Sequence, residues 1–126
     1  MTETLSALQT TLAGVIKTVD GALAVAVGTR DGLIIEQYPQ DAYDLSPMVA
    51  EQAALLVATT KSYKRGLPRL SRGQVIELVF STDKLTCYAQ LLDQDLFCFV
   101  LMKLCSDFSP VRQHLRQVKS DIIRQL

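Results

Sequence analysis

The chain has no tryptophan, one histidine and three cysteines, and each scarcity narrows what it can do. His114 has no nucleophile at a spacing that would let it work as a general base, so it reads as a boundary residue half covered on the last helix. Cys87, Cys98 and Cys105 are odd in number, lie in apolar surroundings and show no C-x-x-C spacing, the pattern of reduced core residues. Cys87 and Cys98 fall in one expected hairpin turning at Asp93-Gln94-Asp95. A three-residue turn there sets Cys98 across from Gln90 and Cys87 across from Leu101, so the thiols point to opposite faces and cannot share a metal. No apolar run approaches the roughly 20 residues that cross a bilayer, and Met1 to Thr11 has neither a basic start nor a continuous apolar block. The expected location is therefore the cytoplasm.

Phosphate and calcium signatures are missing as well. Gly28-Thr29-Arg30-Asp31-Gly32 lacks the Gly-Lys-Ser/Thr end of a phosphate loop and opens a strand where such a loop opens a helix. Asp93 and Asp95 lack the rest of a calcium loop. No catalytic residue, metal or cofactor is expected. The 13 basic and 13 acidic side chains balance, but unevenly: residues 1 to 60 carry two basic and seven acidic groups, and residues 61 to 126 carry eleven and six. Such a split favours oriented docking on a protein partner. Lys61, Lys64, Arg65, Arg69 and Arg72 form a basic run, with Arg112, Arg116 and Lys119 on the last helix. A neutral chain with one aromatic in that run, Tyr63, is no nucleic-acid binder; the run reads first as a solvated loop and second as a contact for an acidic protein surface.

What is present is a regular alternation of elements within one domain, 1–126, since 126 residues build a single core. Leu5, Leu8, Leu12, Val15, Ile16 and Val19 make one helical stripe, stopped by Asp20-Gly21. Ala22 to Thr29 and Leu33 to Tyr38 are apolar strands joined by Arg30-Asp31-Gly32, a tight hairpin signal. After the loop Pro39 to Leu45, Ser46-Pro47 predicts an N-cap with proline in the first turn, and the helix runs to Tyr63 or Lys64 before Gly66. Past a Pro68 loop, strands are expected at Gln74 to Phe80, Leu85 to Leu92 and Leu96 to Leu104. Ser109-Pro110 then opens a last helix striped by Val111, Leu115, Val118, Ile122 and Leu126. The order α-β-β-α-β-β-β-α predicts an α/β (α+β) three-layer α/β/α domain around one five-stranded antiparallel sheet. Gln74 to Phe80 follows a loop and is expected at the sheet edge.

The second helix carries the clearest functional signal, because from Met48 to Ala58 apolar residues point in every direction and such a helix must be covered on two sides. Met48, Val49, Leu55, Leu56 and Tyr63 crowd one side, with Gln52 and Thr59 among them. Ala50, Ala54, Val57 and Lys61 recur on the other.

The hairpin from Gly21 to Ile35 and the Ala-rich stretch Ala50-Glu51-Gln52-Ala53-Ala54-Leu55-Leu56-Val57-Ala58 resemble the roadblock/dynein light-chain domain family, the likeness running from Leu5 to Leu126. The resemblance implies a homodimer formed through the third strand and second helix, here Met48, Leu55, Gln74, Val75, Ile76, Glu77, Leu78 and Val79. It further implies a small Ras-like GTPase as partner, as in the bacterial gliding and polarity systems. That partner would dock on Ala50, Ala54, Val57 and Lys61, and any stimulation of GTP hydrolysis would come from positioning the GTPase's own groups. Two other readings fit the same element order: a small-molecule sensor of the PAS or GAF kind, which needs a ligand cavity, and a structural adaptor subunit of a motor or signalling complex.

Overall fold

The computed structural model describes residues 5–67, 69 and 73–126; Pro68 and Arg72 of the expected loop and basic run lie outside them. The elements are α1 (Ala7–Thr18), β1 (Ala22–Thr29), β2 (Ile34–Tyr38), α2 (Ser46–Gly66), β3 (Glu77–Ser81), β4 (Leu85–Leu91), β5 (Leu96–Lys103) and α3 (Ser109–Gln125). They form a three-layer α/β/α domain. The five strands make one antiparallel sheet in the order β2-β1-β5-β4-β3. Among the described residues no helix is long and apolar enough to cross a membrane.

Strand periodicity divides the core in two. Val25 and Val27 of β1, Tyr88 of β4 and Cys98, Val100 and Met102 of β5 meet Leu12 and Val15 of α1 and Val111, Leu115 and Ile122 of α3. The alternate residues Ala24, Ala26, Ala89, Phe97, Phe99 and Leu101 meet Val49 and Ala53 of α2. Small residues on β1 let α2 come close. A Cβ on Gly28 would lie 2.8 Å from Val49 Cγ1 and 3.0 Å from Phe97 Cζ, and both neighbours are buried. Gly28→Ala is accordingly expected to cost about 1–3 kcal/mol by overpacking, read as a lower midpoint in thermal unfolding. A midpoint equal to that of the parent would show that α2 can lift off the sheet freely.

Two helix starts differ from expectation in the same way. Ser46 and Ser109 are the first helical residues and not the caps. Asp44 accepts the Ser46 N–H at 3.2 Å and Asp107 accepts that of Ser109 at 3.0 Å, so the repeated signal is Asp-x-Ser-Pro with the carboxylate two residues ahead. The intervening residues anchor the chain: Leu45 is fully buried and Phe108 stacks on Tyr88 at 6.4 Å. In α1 the cap is Ser6, in a reciprocal box with Gln9.

The β4–β5 register sets Cys98 across from Gln90 and Cys87 across from Leu101, and the two thiols do face opposite layers. Complete burial pushes the Cys98 thiol up to about 12. Cys87, expected buried, is only half-buried, packed against the α2-side core; desolvation, then Glu51, still raises its pKa. His114 is half-buried on α3, and burial lowers its pKa, so it is neutral at pH 7.

Candidate functional site: the two flanks of α2 and the open edge of the sheet

Helix α2 is 21 residues long, and its core-facing row is Val49, Gln52, Ala53 and Leu56. Gln52, which periodicity placed among the bulky residues without a role, is 4% exposed, and its Oε1 has no partner among the described residues. The row leaves two flanks of different chemistry.

One flank faces the β1–β2 hairpin. Ala50, Ala54, Val57 and Lys61 all line a single groove of about 510 Å³, together with Ala58 and Arg65 further along the helix. Its other wall is Arg30 and Asp31 of the hairpin turn. Gly32 holds that turn in place: its φ is +86°, and an added Cβ would lie 3.1 Å from Ala50 Cα, so the hairpin tip rests on Ala50. The structure thus gathers the four expected docking residues and adds Arg30 and Asp31, which the sequence presented only as a turn. Ala50 seats the turn.

The opposite flank carries Met48, half-buried against the α2-side core, and Leu55, which is 38% exposed. Beyond it the sheet face is open, with Phe80 46% and Leu85 38% exposed. Among the described residues strand β3 pairs with β4 alone and is an edge. It is shorter than expected: Gln74, Val75 and Ile76 precede the strand, although Ile76 O still accepts the Leu91 N–H at 2.9 Å. The Thr82 N–H likewise bonds Leu85 O at 2.9 Å. These two bonds fix the phase of the ladder, since hydrogen-bonded pairs recur at every second residue. Leu78 and Phe80 therefore turn their main-chain groups toward β4, while Glu77, Val79 and Ser81 turn theirs to the open edge. Val79 is 41% exposed.

Glu77 ties this edge strand to α3. Its carboxylate takes the Arg112 guanidinium at 2.7, 2.9 and 3.1 Å and also accepts the Tyr88 hydroxyl, while Gln90 Nε2 donates to Tyr88 Oη at 3.1 Å. Arg112, the largest cause, holds the Glu77 pKa below its ordinary value; burial, then the bond to Glu77, pushes Tyr88 up to about 12. Nothing in the sequence joins positions 77 and 112 in advance. A depressed carboxylate stabilises the fold above its unfolded pKa and loses that contribution as pH falls through the lower folded value. Thermal midpoints of the parent and Glu77→Gln are therefore expected to differ at pH 7 and to converge below about pH 4, the ordinary glutamate range. Midpoints that run parallel down to pH 3 would mean the pair adds nothing.

No family model and no curated protein matches the chain. Solved structures do. The Roadblock/LC7 domain from Streptomyces avermitilis aligns with a TM-score of 0.80 at 15% identity, over 92% of this chain and 94% of that one. MglB from Myxococcus xanthus aligns with a TM-score of 0.77 at 14% identity, over 98% and 100%. The chain has the Roadblock/LC7 fold. MglC from the same organism aligns with a TM-score of 0.62 at 24% identity, over 95% of this chain and 99% of that one. In this Roadblock/LC7 fold the groove and the open edge lie on opposite flanks of one helix.

Proposed function

We propose that the chain is a non-enzymatic homodimeric regulator or scaffold that binds a small Ras-like GTPase. The observation that carries this reading is the groove on α2, where a row of alanines and Val57 makes a flat floor between charged walls. Small side chains admit a partner's main chain closely, and Arg30, Lys61 and Arg65 favour an acidic partner surface and fast oriented encounter. The fold likeness to MglB, a gliding protein in the structure from Thermus thermophilus, supports the same partner class. Dimerisation is assigned to the β3 edge with Met48 and Leu55 beside it. Any acceleration of GTP hydrolysis would come from holding the GTPase's own catalytic groups in place. Calorimetry against a bacterial Ras-like GTPase, loaded in turn with a GTP analogue and with GDP, tests the proposal. Binding at least about tenfold tighter in one state, a difference of about 1.4 kcal/mol, is expected of a regulator. Equal affinity for both states would make the chain a structural adaptor.

A further inference from the structure

A second cleft, lined by α3 on the sheet face opposite α2, carries chemistry that the docking groove does not use. It lies between the start of β3, the β4–β5 turn and α3, with a volume of about 470 Å³, the size of a small-molecule site. Among the described residues four charged side chains line it: Glu77, Asp93, Arg116 and Lys119. Both acids are already engaged. Glu77 is held by Arg112 and Tyr88, and Asp93 Oδ1 accepts the N–H groups of Asp95 at 2.8 Å and Leu96 at 3.0 Å. Arg116 is close enough to Glu77 to help lower its pKa, but among the described residues neither Arg116 nor Lys119, one turn apart on α3, forms an ion pair or hydrogen bond, and Lys119 is half-buried. A cation partly withdrawn from water and left unpaired gains more from an arriving anion than a solvated one does. The amides of Gln74 and Gln94 add donors with no other partner among the described residues. Beside them Ile76, 56% exposed, gives the cleft an apolar edge.

We propose that this cleft binds a small organic oxyanion, a carboxylate or a phosphate ester, with its charged group between Arg116 and Lys119 and its apolar body against Ile76. The guanidinium can grip either oxyanion through two parallel N–H bonds, and the ammonium adds a point charge. The site is separate from the alanine groove and does not depend on a GTPase partner.

The test is a ¹H–¹⁵N NMR titration of the full chain with phenyl phosphate, with benzoate and with inorganic phosphate. Saturable shifts are expected at Ile76, Leu91, Gln94, Arg116 and Lys119, and the stronger of the two aryl probes tells whether phosphate or carboxylate is preferred. Inorganic phosphate, lacking an apolar body, is expected to bind at least about fivefold more weakly. Arg116→Gln with Lys119→Gln should weaken the better probe by about tenfold or more at an unchanged thermal midpoint. If the double variant loses its fold, the exposed Arg116→Gln alone is read, with the same direction of change. Unaltered binding in the variants, shifts spread over Arg30, Lys61 and Arg65, or equal affinity for inorganic phosphate would each overturn the site.

Discussion

A Val79→Pro variant is expected to remain folded and to run as a monomer. The main-chain groups of Val79 point to the open edge, so proline there removes no bond between β3 and β4, and edge positions tolerate it. What it removes is the donor offered to a second copy, and its ring holds the neighbouring partner strand away. Each main-chain bond across such a junction contributes about 0.5–1.5 kcal/mol. Losing two or three of them, about 2–4 kcal/mol, weakens the dimer roughly 30- to 1000-fold. Leu78→Pro, one residue earlier, should behave differently: its N–H points at Ala89 of β4, so that change leaves a ladder acceptor unpaired and costs the fold itself about 1–3 kcal/mol. The contrast between neighbours is the readout. Light scattering and thermal unfolding of both variants would show it, and a fully dimeric Val79→Pro protein would remove β3 from the interface. The other sheet edge is a poorer candidate, because the β1–β2 pairing carries a register shift between Val27 and Gly28, and bulges turn an edge away from pairing.

The element order could be read directly because each local signal agreed with the tertiary arrangement. Asp31-Gly32 needs a positive φ and has one. The three-residue turn after Leu92 fixed the register of β4 on β5, and with it the faces of Cys87 and Cys98, since a strand's side chains alternate without exception along a regular ladder. Other features depended on atoms far apart in sequence. The start of β3 is not legible, because Gln74, Val75 and Ile76 alternate as a strand does, while β4 offers hydrogen bonds only from Leu91 onward. Serine and aspartate are both good caps, and only the geometry shows that Asp44 and Asp107 reach the first turn. On α2 the alanine row was legible from its spacing. The hairpin wall of Arg30 and Asp31 was not, since it depends on Gly32 meeting Ala50 across a tertiary contact. The Glu77–Arg112 pair spans 35 positions, and nothing in composition or period foretells it.

Ala54→Arg combined with Ala58→Arg is expected to abolish GTPase binding while leaving fold and dimer intact. Both residues are exposed on α2 and line the groove. Arginine is nearly as good a helix former as alanine, so the change in stability should stay within about 0.5 kcal/mol per site. Ala50 is the wrong position for this test despite belonging to the same row. The hairpin tip rests on it, and a large side chain there would move Arg30 and Asp31 as well, confounding loss of docking with loss of the wall. At Ala54 and Ala58 the new side chains fill the floor of the groove and touch nothing that holds the domain together. A partner main chain that approaches the alanines would be held off by several ångströms, which forfeits close packing along the whole contact. The expected loss is at least about 100-fold, or 2.7 kcal/mol, by calorimetry with the GTP-analogue form, with unchanged elution as a dimer. Lys61→Glu separates charge from shape: it leaves the floor flat, so it should slow association and steepen with falling salt without matching the steric loss. Full affinity in the double arginine variant would take the docking surface off this flank of α2. A monomeric double variant would instead place these alanines in the dimer contact, and the β3 edge would then have to share it.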